Sequence, residues 1–242
     1  KKEVEEHMKK SLNHKHMLSI CNSHEITRTP PAPLHTSRLL QLANNILHIS
    51  PSETMRLCQQ LYQTGYITYM RTESTKYAKP FLQEISKYIH DQYGNQKYIG
   101  NISDLENKQT NNPHEAIRVT QLTTKTIVSD DTRLVAMYKL IWKNTIESCM
   151  SDARYKAFPL EVSGAENTKY THTHEIPIFL GWKILSEKKS ETDSQNVSNG
   201  LHMFFQTQLK HELKYNWIES NVSMKNKHSH FTEASLINKL EN

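Results

Sequence analysis

The sequence predicts a multi-domain α and β protein. A mainly helical, tyrosine-bearing domain over 34–127 is inserted into a discontinuous β-rich domain made from 1–33 and 128–225. Three observations lead there. The 242 residues suit two domains at roughly 100–200 residues each. Apolar residues recur at helical spacing from about 37 to 93 and again over 130–150, and strand-like runs replace them from Tyr155 onward. The proline run Pro30-Pro31-Ala32-Pro33 divides the polar opening from the first helical pattern. Residues 226–242 read as the start of a further helical domain, and a chain that opens on Lys1 and stops in a helix-like pattern reads as a fragment.

The elements follow in order. Residues 1 to about 28 read as a strand, and the prolines after them impose a stiff, extended crossover. Ser37 is expected to cap a helix with Leu39, Leu42, Ala43, Ile46 and Leu47 on one face. In Ser50-Pro51-Ser52-Glu53 a capping serine precedes Pro at the first helical position and Glu at the third. Met55, Cys58, Leu61 and Tyr62 form that helix's buried stripe, and Gly65 ends it. A short strand is expected over 66–69, then a helix over 78–93 stopped by Gly94. The Asn- and Lys-rich stretch 94–113 reads as a loop, and Asn112-Pro113-His114-Glu115 repeats the cap-Pro-x-Glu pattern, so a short helix is expected there. A long helix over 130–150 precedes strands at 157–162, 175–185 and 201–213, with a polar linker near 186–200. A last helix begins near Thr232 with Leu236, Ile237 and Leu240 as its apolar side.

Composition removes several functions. No two of the six glycines have the spacing of a dinucleotide or Walker-type phosphate loop, so no nucleotide cradle of that kind is present. None of the four His-Glu dipeptides has a second His three residues on, which excludes the zinc-protease helix motif. The three cysteines are widely separated and without a Cys-x-x-Cys, so reduced thiols in a reducing compartment are expected. His14, His16, Cys21 and His24 match no familiar zinc template and read as exposed polar residues. No apolar run approaches the roughly 20 residues that cross a bilayer. The formal net charge of +5 suits a polyanionic partner without specifying one.

Chemistry concentrates in two stretches. In Gly65 to Ser74 the phenol of Tyr69 lies two residues before Arg71, and an extended backbone projects both to one side. A phenol is a weak nucleophile at neutral pH; nearby positive charge favours its phenolate, and a guanidinium binds two phosphate oxygens at once. Taken alone, the pairing also describes a core tyrosine beside a surface arginine. In Pro113 to Arg118, His114 at a helix start would donate to a phosphate oxygen or move a proton, and a surface histidine has the same local pattern.

Four motifs in order resemble the type IA DNA topoisomerases. Pro30-Pro31-Ala32-Pro33-Leu34-His35-Thr36-Ser37 resembles the family's PPAPF-T-S crossover, and Tyr66 to Ser74 its active-site YITYMRTDS. Pro113 to Arg118 is similar to AHEAIRP, and Phe231 to Leu236 to the start of YTEASLVK-LE. The resemblance covers about 28–242. It departs at Glu73, where the family has Asp, at Val119, which replaces a proline, and at Lys227 to His230, which replace a proline-rich approach.

The resemblance implies that Tyr69 attacks a DNA phosphodiester and keeps the 5′-phosphate while the 3′-hydroxyl leaves. A strand passes, and the hydroxyl reattacks without ATP. It implies Arg71 and His114 as catalytic partners, and Arg71, Arg118, Thr72 and Ser74 as DNA contacts, with Arg118 alternatively pairing with Glu115. It further implies a β-rich arch, Mg²⁺ held by a Toprim domain outside this chain, and single-stranded or negatively supercoiled DNA as partner. A cytoplasmic monomer with no membrane association is expected. The fragment alone is expected to bind single strands weakly and relax nothing. A non-catalytic nucleic-acid-binding relic of the same fold is the alternative.

Overall fold

The computed structural model describes every residue except 1, 95, 109–113, 187–210, 215, 218, 222–229 and 242. The chain divides into two compact units. One comprises Lys1–Thr27, Arg154–Leu180 and Lys188–His228; the other comprises Arg28–Ala153, Gly181–Glu187 and Ser229–Asn242.

The first unit is built on an antiparallel sheet. It opens with helix α1 (Lys2–Leu12), where a strand was expected. The residues explain the difference: Glu3 and Glu5 in the first turn and Lys9 and Lys10 in the last complement the helix dipole, and straight-chain side chains dominate. The strands are β1 (His16–Ile20), β2 (His24–Arg28), β3 (Ala153–Ser163), β4 (Lys169–Phe179) and β5 (His211–Leu213). They run in the order β2-β3-β1-β5, with β4 also paired to β3. The hairpin of β3 and β4 holds register from Tyr155↔Pro177 to Ser163↔Lys169, with a register shift between Tyr155 and Arg154, which pairs with Phe179. Its tip has Glu166 in the left-handed region, and Lys10 and His7 of α1 pair with that carboxylate. His16 is buried rather than exposed, its two ring nitrogens facing the carbonyls of Ser163 at 2.9 Å and Ser11 at 3.0 Å. β4 occupies 169–179 rather than 175–185: Gly181, at φ +49, lies so close to the Asp152 carbonyl that a Cβ would clash, and a 3-10 turn follows it. Of the strand expected over 201–213, the part at 201–210 lies outside the described residues.

The second unit is mainly helical. It holds α2 (Thr36–Leu42), α3 (Pro51–Gln63), α4 (Lys79–Tyr93), α5 (Thr132–Glu147) and α6 (Glu233–Glu241) around a core that includes Leu39, Leu57, Leu61, Ile85 and Met137, all fully buried. His35, not Ser37, is the N-cap of α2, with no side-chain cap bond. α2 runs into a π-helical turn, Ala43–Leu47, whose wider pitch rotates Ile46 out of the expected stripe, to 55% exposure. α3 matches its cap: Ser50 Oγ accepts from the Glu53 amide at 3.3 Å. Gly94 closes α4 in the left-handed region.

Two assignments differ from the sequence reading. α5, expected in the β-rich domain, packs in the helical unit, because its stripe of Leu134, Met137 and Ile141 belongs to that core. Tyr138 Oη donates to Thr124 O at 2.7 Å and Trp142 Nε1 to Leu122 O at 2.9 Å, tying it to the preceding loop. α6 also belongs to this unit: Asn44 Nδ2 donates to the Glu233 carboxylate at 3.1 Å, Ala234 is buried, and Leu236 and Leu240 face outward.

Candidate active site

Three extended segments of the helical unit meet at the site. Leu34 of the crossover bridges Ile117, and Ile67 bridges Val119, both antiparallel. The Ile117 amide donates to Leu34 O at 2.7 Å, the Thr68 amide to Arg118 O at 2.9 Å, and the Thr120 amide to Tyr66 O at 3.0 Å. Leu34, Ile67, Ile117 and Val119 are at most 2% exposed, so each bridge is anchored by an apolar side chain in the core. These pairings replace the helix expected at His114, which is non-helical from that residue on. The proposed cap, Asn112-Pro113, lies outside the described residues. They also replace the expected strand 66–69 by an extended run with a single bridge at Ile67.

Gly65, at φ +77, turns the chain out of α3 and into this run. From there burial alternates strictly: Tyr69, Arg71 and Glu73 are exposed, while Met70, Thr72 and Ser74 are buried. Period-two alternation therefore puts the phenol and the guanidinium on one face. Thr36 sets the backbone beneath them. Its amide donates to Thr72 O at 2.9 Å, its hydroxyl lies 3.0 Å from both Met70 O and Thr72 O, and that hydroxyl accepts from the Thr72 amide at 2.9 Å.

The Tyr69 ring packs edge-on against Tyr62 of α3, centroids 5.3 Å apart, and lies 6.0 Å from the His114 ring at a 32° tilt. Beside it opens a cavity of about 550 Å³ lined by Thr36, Arg71, Thr72, Glu73, Ser74 and His114. Arg71 makes no hydrogen bond or ion pair with a described residue. Its charge is available to an anion in that cavity.

The structure thus brings Tyr69, Arg71 and His114 together, places Thr72 and Ser74 in the lining of the same cavity, and leaves Arg118 out of that lining. Arg118 is held by Glu115 in a two-point pair at 2.8 and 3.0 Å, donates to Val119 O at 3.1 Å and covers the Phe81 ring at 4.0 Å. Its side chain is 15% exposed, so the pairing with Glu115 that the sequence offered as one of its two roles is present in the structure. Glu115 also accepts from the Ala78 amide at the start of α4. Thr72 and Ser74 spend their hydroxyls on the loop itself, accepting from the amides of Ser74 at 3.1 Å and Lys76 at 3.2 Å.

Other nucleophiles are poor by comparison. Tyr77 is fully buried against Ser148, and desolvation holds its phenol far above the ordinary range. Burial pushes the thiols of Cys58 and Cys149 up to about 12. Sequence reasoning gave Thr36, His35 and Tyr62 no part in the site. The first two lie inside a motif that had been noted, but their partners are more than 30 residues away along the chain, and no local signal marks such a contact.

An exposed tyrosine beside an unengaged arginine and a histidine, on a platform of three crossing segments, sets a phenol and an available positive charge in one place. The comparisons with known proteins give the family. The DNA topoisomerase family model matches residues 1–242, and the chain belongs to that family. It is 34% identical over 216 residues to DNA topoisomerase 1 of Buchnera aphidicola from Acyrthosiphon pisum, covering 87% of this chain and 24% of that protein. It is 33% identical over 205 residues to the prokaryotic-type DNA topoisomerase 1 of Acanthamoeba polyphaga mimivirus, covering 79% and 24%. The fold is similar to full-length topoisomerase I from Thermotoga maritima, with a TM-score of 0.66 at 22% identity over 99% of this chain and 39% of that one. The chain spans about a quarter of the length of these curated relatives.

Proposed function

We propose that the protein carrying this chain is a type IA DNA topoisomerase whose nucleophile is Tyr69. The Tyr69 Oη attacks the phosphorus of a phosphodiester in single-stranded DNA. An Oη–P bond forms as the P–O3′ bond breaks, and the 3′-hydroxyl leaves with the proton. The 5′-phosphate stays on the tyrosine until, after strand passage, the 3′-oxygen reattacks and restores the phenol. Bond energy is conserved in the ester, so no ATP is consumed.

The observation that carries this reading is the alternation of 69–74, which puts Tyr69 and Arg71 on one face, with Arg71 and His114 lining a cavity and the Tyr69 ring beside His114. Arg71 binds two non-bridging oxygens, and His114 donates to the charge that develops on them. Thr72 and Ser74 serve by fixing the loop, and Arg118 by fixing the 114–120 segment to α4. The β-rich unit is read as part of the arch.

The described residues hold no group of three or more His, Cys, Asp or Glu side chains arranged for a metal. They do not fit Mg²⁺; the Mg²⁺ of this family is assigned to acidic residues outside the chain. No helix among the described residues is long and apolar enough to cross a membrane. The reading places the protein on cytoplasmic DNA as a monomer. The test is incubation of the full-length protein with an end-labelled single-stranded oligonucleotide, followed by denaturation. The wild type is expected to retain label covalently and Tyr69→Phe to retain none while still binding the strand; an adduct on the Phe variant would remove Tyr69 from the role.

A further inference from the structure

Glu73 is the third exposed residue of the tyrosine face, and its carboxylate is not oriented by Arg71. It lies 3.5 Å from Nδ1 of His35, the N-cap of α2 and the neighbour of the Thr36 clamp. His35 is the more enclosed partner, at 21% side-chain exposure against 76% for Glu73. The pair therefore ties the far end of the Tyr69 to Ser74 run to the crossover, one residue beyond the point where Thr36 holds its backbone. The two side chains interact as ions only when the imidazole is protonated.

From this geometry we infer that His35 is a positioning residue that sets, through Glu73, the charge presented to a DNA phosphate beside Tyr69. The inference rests on the function proposed above. Glu73 lines the cavity with Arg71 and His114, so its negative charge opposes phosphate entry and competes for both cations. A protonated His35 neutralises that carboxylate and holds it at the α2 end of the cavity, leaving Arg71 to the phosphate. A neutral His35 releases it. Charged and titratable groups on the elements next to His35 are Glu73 and Arg71 on the tyrosine run, His114 on the 114–120 segment, Arg38 on α2, and Glu233 and Lys239 on α6, which packs against α2. The contact that carries the inference is that with Glu73, at 3.5 Å.

The test compares wild type, His35→Gln, Glu73→Gln and the double variant of the full-length protein, from pH 5.5 to 8.5. Adduct yield at subsaturating single-stranded oligonucleotide is the first readout. His114 is present in all four proteins, so the informative quantity is the ratio of wild type to His35→Gln. That ratio is expected to rise by about two- to fivefold toward acid pH, the size set by so exposed a pair, and to stay flat in the Glu73→Gln background. The second readout needs no DNA: the His35 ring is followed by NMR, and its titration midpoint is expected to fall when Glu73 becomes Gln.

A pH-independent ratio in proteins that do form adduct overturns the inference and leaves the proposed function standing. An unmoved His35 midpoint overturns it whether or not adduct forms. A normal midpoint shift in a protein that never forms adduct at Tyr69 confirms the pair but refutes the proposed function, and with it the role of His35 toward phosphate.

Discussion

Replacing Thr36 with valine tests the platform under Tyr69 at a single atom. The shape is kept and one hydroxyl is lost. That hydroxyl donates toward Met70 O or Thr72 O, both 3.0 Å away, and accepts from the Thr72 amide at 2.9 Å. Thr72 is only 6% exposed, so its N–H has no water to turn to. Stranding a buried donor costs about 1–3 kcal/mol, so local opening of the run should become easier by about that amount. At about 1.4 kcal/mol per tenfold, that is roughly a 5- to 150-fold faster exchange of the Thr72 amide. Hydrogen exchange is the suitable assay because a chain of two units need not unfold in one step. Thr36→Ser keeps the oxygen, loses one methyl worth about 0.8 kcal/mol, and should exchange within about fivefold of wild type. Unchanged protection of Thr72 in the valine variant would show that the Thr36 hydroxyl does not hold the run, and would refute the reasoning.

Three further outcomes are expected. Glu115→Gln leaves the Arg118 guanidinium without its carboxylate beside Phe81 and should destabilise the helical unit by about 1–3 kcal/mol in urea denaturation, a figure reduced from the fully buried case because both partners keep some solvent contact. Gly65→Ala forces an L-residue to φ +77 in otherwise open space, so the cost is conformational alone, about 1–2 kcal/mol in thermal unfolding, and Gly65→Asn should recover part of it. Glu147 is raised above the usual carboxylate range, chiefly by burial, with Lys143 opposing. The folded state thus holds its proton at pH values where the unfolded chain has lost it, so Glu147's contribution to stability falls as pH rises past the ordinary carboxylate range. Glu147→Gln should therefore raise the unfolding temperature at pH 7, by a margin that shrinks toward pH 4.

What was legible in the chain is what depends on near neighbours. Ser50 with Pro51, Gly65 and Gly94 act within one turn of helix, and α3 and α4 start and stop where those residues require. The strand beginning near 157 and the helix at 132–147 were visible as patterns, but the position of β4 at 169–179 and the company α5 keeps were not: Trp142 and Tyr138 commit α5 to the helical unit through carbonyls at 122 and 124. His114 shows the limit most plainly. Its cap-Pro-x-Glu wording favours a helix, yet Ile117 and Val119 find strand partners at Leu34 and Ile67, far away in sequence, and those pairings prevail. The π-helical turn at Ala43–Leu47 has no composition signature at all. At the site, the face shared by Tyr69 and Arg71 follows from local alternation, whereas the Thr36 clamp and the His35–Glu73 pair depend on tertiary contact. The Arg118–Glu115 pair, three residues apart, lay open in the sequence as one of two roles, and the structure contains it.

The central claim is a covalent one, and peptide mapping addresses it most directly. Full-length protein trapped on a single-stranded oligonucleotide, digested with trypsin and nuclease, should yield one modified peptide, bearing a nucleotide 5′-phosphate on Tyr69. A nucleotide found on Tyr62, on any other side chain, or on none would contradict the account.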